Sequence, residues 1–145
     1  MICMNELMKT KFVDEKSEIH NLAKMIADDT KLVKDCMVYD KNQEINETKI
    51  NFDRIMMMYG DRTGYEVACN EIRFEKEILS KSQILSFLVE LDMELATKFA
   101  RKVAIYIEEI DDVLELRFHS LRENEPLWLS DDLNSYDTPI ICYIS

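Results

Sequence analysis

The sequence predicts an α+β fold, a mainly antiparallel sheet with helices packed on one face. Three observations predict it. Ile84, Leu88, Leu91, Leu95 and Phe99 form one apolar helical stripe behind Ser80-Lys81-Ser82-Gln83, a capping box. Val103, Ile105 and Ile107 then alternate with Ala104, Tyr106 and Glu108, the period of a strand. Asp111-Asp112 supplies a turn to a second run in which Val113, Glu115, Arg117 and His119 face away from Leu114, Leu116 and Phe118. Strands joined by tight turns pair antiparallel, and the amphipathic helix needs a sheet face to cover.

The remaining elements follow in chain order. Ile19, Leu22, Ala23 and Ile26 keep helical spacing, with Asp14 or Ser17 as N-cap, and the spacing resumes through Val33 and Met37. Residues 40–48 are polar apart from Ile45 and read as a loop. Alternation at Ile50, Phe52, Met56 and Met58, then at Tyr65, Val67 and Cys69, predicts a hairpin of 49–59 with 65–75, turning at Gly60 to Gly64. In that strand two of the three methionines Met56-Met57-Met58 fill the core. The helix is expected over 81–101, and a last apolar run, Pro139 to Ile144, closes the chain.

A chain of 145 residues with no repeat and no Gly/Ser/Pro linker is expected to form one domain, 1–145. At this size folding buries about two-thirds of the unfolded surface, so no staple is required. No apolar run exceeds five residues, which excludes a membrane helix. Met1 to Phe12 lacks the apolar stretch of a secretory signal, so the expected compartment is the cytoplasm. Cys3, Cys36, Cys69 and Cys142 lie far apart in sequence, form no CxxC motif, and read as reduced core residues.

Charge is concentrated. Residues 108–137 hold ten acids and two bases, −8 of the net −11, while the first 107 residues carry 19 acids against 16 bases. Such a segment is either a solvated face or a surface built to meet a positive partner. It also contains Trp128 and Tyr136, residue types that anchor interfaces. The candidate partner-binding residues are therefore Glu108, Glu109, Asp111, Asp112, Glu123, Glu125, Trp128, Asp131, Asp132 and Tyr136. The same net charge opposes direct binding of nucleic acid.

Catalytic chemistry has little support. Two glycines cannot build a phosphate loop or a dinucleotide turn. His20 and His119 have no neighbours at metal-ligand or triad spacing. Asp28/Asp29, Asp111/Asp112 and Asp131/Asp132 lack the loop of an EF-hand. Asp29-Thr30-Lys31 and Glu47-Thr48-Lys49 have the carboxylate–lysine spacing of metal-dependent nucleases, so a metal-dependent enzyme is the weaker alternative. A binding protein with no metal and no cofactor is the expectation.

A long amphipathic helix, the acidic stretch Tyr106 to Leu116, and Leu127-Trp128-Leu129-Ser130-Asp131-Asp132-Leu133 follow one another in residues 65–145. In composition and layout this half resembles the small acidic immunity proteins of bacterial polymorphic toxin systems. The resemblance implies a cytoplasmic non-enzyme that blocks a basic effector, often a nuclease. Small acidic phage proteins that inhibit CRISPR nucleases share the profile and form the alternative.

Overall fold

The computed structural model describes residues 1–14 and 21–145. Five strands form one antiparallel sheet: β1 (Ile2–Met4), β4 (Ile72–Phe74), β5 (Val103–Ile110), β6 (Val113–Ser120) and β7 (Ile140–Ile144). They lie in the order β1-β7-β5-β6-β4. A separate hairpin pairs β2 (Thr30–Val33) with β3 (Cys36–Tyr39). The helices are α1 (Glu6–Lys9), α2 (Leu22–Asp28), α3 (Phe52–Tyr59), α4 (Arg62–Cys69) and α5 (Ile84–Phe99). The fold is α+β, as the sequence predicts.

The two long strands turn on Asp111 (φ 48°) and Asp112 (φ 64°), and β2 turns to β3 on Lys34 (φ 50°) and Asp35 (φ 64°). Two consecutive left-handed residues make the mirror-image turn whose twist matches paired strands, and Asp tolerates that conformation better than most residues.

Helix α5 is the spine of the main core. Its buried face, Ile84, Phe87, Leu88, Leu91 and Leu95, packs with Val103, Ile105, Ile107, Leu114, Leu116, Phe118 and Ile141 from one face of the sheet. The capping box at Ser80 and Gln83 is present, with the Ser80 N–H donating to Gln83 Oε1 over 2.9 Å. It opens a 3-10 turn, Lys81–Gln83, so the α-helix proper starts at Ile84. Met8 of α1 and Ala23, Ile26 and Ala27 of α2 complete this core. The opposite face, Ala104, Tyr106, Ile140 and Cys142, is covered by loop residues Leu121, Leu127, Trp128, Leu129, Leu133 and Tyr136. Both faces are therefore covered, one by helices and one by irregular chain.

The stretch 49–75 differs from the sequence reading. It forms α3, α4 and then β4, not a hairpin. Phe52, Ile55 and Met56 also satisfy helical spacing, and they pack with Tyr65, Val33, Cys36 and Val38 in a second cluster. Asn51 caps α3 by accepting from the Arg54 N–H (3.1 Å), Gly60 (φ 85°) ends it, and Asp61 caps α4 by accepting from the Gly64 N–H (2.7 Å). Two short capped helices thus account for the residues that also alternate. Met57 and Met58 are 86% and 69% exposed, so the methionine run does not fill a core; only Met56 packs.

The first helix differs as well. Val33 and Met37 belong to β2 and β3, not to a continued helix. Asp14 precedes α2 by several residues and does not cap it; Asn21 occupies that place in a left-handed conformation (φ 57°). Ser17, Ile19 and His20 lie outside the described residues.

Helix α4 joins the two sheets. The Glu66 carboxylate, fully buried, accepts from the backbone N–H groups of Met37 on β3 and Ser120 on β6 (2.9 Å for Ser120). Asn70, one turn on, accepts from the Tyr39 N–H at 2.7 Å. Its amide donates to Met37 O at 2.9 Å and Phe118 O at 3.0 Å.

Candidate functional site

The ten candidate residues differ in exposure: Glu109 is buried, Glu108, Glu125, Trp128 and Tyr136 are half-buried, and the other five are exposed. Glu109 is 8% exposed and lies 2.6 Å from the Lys11 ammonium and 3.4 Å from that of Lys81. Burial opposes its charge, but the two lysines hold its carboxyl below the ordinary 4.5. It is committed inside the molecule and cannot meet a partner. Half-buried Glu108 accepts from the Thr138 hydroxyl. Glu125 accepts from the Thr63 N–H at 2.8 Å, at the start of α4. Despite partial burial, that donor and nearby Arg122 keep it below the usual carboxylate range.

Asp111 and Asp112 stand exposed at the β5–β6 turn. They line an open depression with Glu75, Lys76, Glu77 and Val113, where Lys76 pairs with Asp112 at 3.1 Å. Glu123, Asp131 and Asp132 are exposed. Among the described residues no ion pair reaches Asp111, Glu123, Asp131, Asp132 or Asp137. Asp132 accepts from the Asn134 N–H (3.2 Å), closing a local turn.

Trp128 and Tyr136 are half-buried and face inward. The Trp128 ring meets Tyr106 edge-on, with centroids 5.5 Å apart, and the Arg117 guanidinium lies 5.0 Å from its centroid. The Tyr136 hydroxyl accepts from the Ser130 N–H at 2.9 Å. Their first task is to fasten the loop to the sheet. Trp128 still forms one wall of an open groove of about 390 Å³ shared with Met58, Tyr59, Asp61, Pro126 and Leu127.

Beneath Trp128 lies a polar cluster that sequence spacing does not reveal. His119 is 1% exposed and stacks on Tyr106, with ring centroids 5.6 Å apart. Its Nδ1 donates to Ser120 O at 2.8 Å, because a carbonyl can only accept. Its Nε2 is then the acceptor, taking the Tyr106 hydroxyl at 3.0 Å and, more weakly, the Trp128 N–H at 3.4 Å. Burial lowers the His119 pKa below 6.5 and raises that of Tyr106, so both are neutral at pH 7. The signal for Tyr106 was its place on the polar-alternating face of β5, opposite Arg117 in register. Nothing local marked His119 as its partner.

Among the described residues no three His, Cys, Asp or Glu side chains converge as a metal site. Asp29-Thr30-Lys31 and Glu47-Thr48-Lys49 do not assemble one either: Lys31 pairs with Asp40 at 2.7 Å, and Glu47 accepts from the Lys34 N–H at 2.9 Å. No described helix is long and apolar enough to cross a membrane.

Fold and site together define an α+β protein with one helical face and one face covered by a net-acidic loop. The chain belongs to the Uncharacterized protein PM0498 family, whose model matches residues 3–145. No curated protein and no solved structure matches it.

Proposed function

We propose that the protein is a cytoplasmic, non-catalytic binding protein that neutralises a basic partner, in the manner of an immunity protein blocking a nuclease-type toxin. One observation carries this reading. Asp111, Glu123, Asp131, Asp132 and Asp137, all within 108–137, have no cationic partner among the described residues, whereas ten other described acids are ion-paired, four of them (Glu109, Asp112, Glu115 and Glu125) in the same segment. Unpaired carboxylates on one segment create a negative field, and such a field steers a cationic surface at rates that fall with salt. A nuclease carries cationic groups to grip phosphates, which makes it a fitting target. The groove walled by Met58, Tyr59 and Trp128 supplies the apolar contact that slows dissociation.

The test is capture of the tagged protein from its own cells, followed by kinetics with the purified partner. The expected partner is basic, its association rate falls with ionic strength, and co-expression relieves its toxicity. Replacing Asp131 and Asp132 by Asn should lower the association rate and its salt dependence. An acidic partner, or association indifferent to both salt and these replacements, overturns the reading.

A further inference from the structure

Cys3 and Cys142, at opposite ends of the sequence, are direct cross-strand neighbours on β1 and β7. Both side chains belong to the loop-covered face and both line one small cavity of about 150 Å³, together with Met1, Tyr106, Leu127, Leu129 and Asp131. We propose that this cavity is a thiol-exchange site, in which Cys3 and Cys142 form a reversible disulfide by reaction with a small neutral or cationic disulfide.

The register supports it. The Met1 N–H donates to Ile144 O (2.8 Å) and the Ile144 N–H to Met1 O (2.9 Å), so Met1–Ile144 is a hydrogen-bonded pair. Two residues on, Cys3–Cys142 is again such a pair, with Cα atoms about 5.5 Å apart. That spacing lies inside the disulfide range of about 4.4–6.8 Å. Opposed Cβ atoms stand about 4.5–5.5 Å apart in a ladder, wider than the roughly 3.8 Å of a relaxed disulfide. Closing the bond draws the strands together locally, and a strained bond is reduced readily. The site is therefore poised for exchange and not for a permanent staple.

The two thiols have different roles. Cys3 is half-buried and reached through the cavity, whereas Cys142 is 3% exposed and burial suppresses its ionisation. The Cys3 thiolate attacks one sulfur of the reagent, whose S–S bond breaks and releases one thiol. Cys142 then loses its proton and attacks the Cys3 sulfur, expelling the second thiol. Two protein thiols are oxidised to one disulfide, and the reagent disulfide is reduced to two thiols. Asp131 at the lining and the acidic net charge favour a cationic reagent over an anionic one.

The experiment treats the reduced, folded full chain with cystamine, quenches with acid and maps the peptides. The expected product is a Cys3–Cys142 cross-link, with Cys36 and Cys69 unmodified in their separate cluster. In Cys142→Ala, cysteamine should remain trapped on Cys3; in Cys3→Ala, Cys142 should stay free. Oxidised glutathione, larger and anionic, should react several-fold more slowly than cystamine. Accumulation of a stable mixed disulfide on wild-type Cys3, or cross-linking only after urea, overturns the proposal. Equal rates with the two reagents overturn the charge preference. If Cys142→Ala does not fold, the wild-type map decides alone.

Discussion

Glu66 on α4 and Asn70, the residue that caps its C-terminus one turn further on, each hydrogen-bond both β3 and β6, strands of two different sheets. The backbone groups they satisfy would otherwise be orphaned at a buried edge, a cost that native proteins rarely tolerate. A helix here replaces the strand that would normally continue the ladder. Arg122 completes the arrangement, with its Nη1 2.6 Å from Glu66 Oε1. Burial works against the guanidinium charge, yet the Glu66 hydrogen bond and charge raise its pKa.

Removing Glu66 should therefore be severe. Glu66→Ala leaves the Met37 and Ser120 N–H groups without their acceptor and Arg122 with only the more distant Glu125 carboxylate (3.9 Å), and should cost about 3–5 kcal/mol in urea unfolding. Glu66→Gln keeps an acceptor and should cost less. A loss below about 1 kcal/mol in Glu66→Ala would show that the two sheets hold together without this bridge.

Stability should decline in mild acid. His119 is held neutral in the folded state with its pKa below 6.5, so below that value the unfolded chain binds the extra proton. The contribution is complete above pH 6.5 and shrinks as pH falls, until folded His119 itself protonates. Thermal unfolding across this window should show the decline, and His119→Gln should flatten it while lowering stability at neutral pH.

Leu88 and Leu91 are both fully buried against the sheet. Replacing either by Ala should cost about 2–5 kcal/mol, transfer energy plus cavity. Denaturant titration of each variant checks the magnitude.

Neutralising Asp111 and Asp112 should leave the fold intact. Both backbones are left-handed, so Asn, which also tolerates that region, is the substitution to make; Lys would add strain. Asp111→Asn with Asp112→Asn should stay within about 0.5 kcal/mol of wild type. A loss of several-fold in partner association without a change in melting would place the turn within the binding surface.

Short-range pattern was enough for α5, its capping box, the β5–β6 hairpin and hence the fold class. Each rests on a period or a turn that neighbouring residues express together. It failed at 49–75, because Phe52, Met56 and Tyr65 suit either period and only the caps at Asn51, Gly60 and Asp61 separate two short helices from a hairpin. For the candidate site, sequence marked the acid and the aromatics but not their directions. Glu109 and Glu125 turn out to hold the molecule together, because lysines and helix donors distant in sequence reach them. Trp128 is drawn inward by Tyr106 and Arg117. The meeting of Cys3 with Cys142, and of Glu66 with Met37 and Ser120, was decided only by the tertiary structure. Those contacts depend on sheet order and helix placement, long-range features set by burial of the whole core, whereas local periodicity reports only which face of an element is apolar.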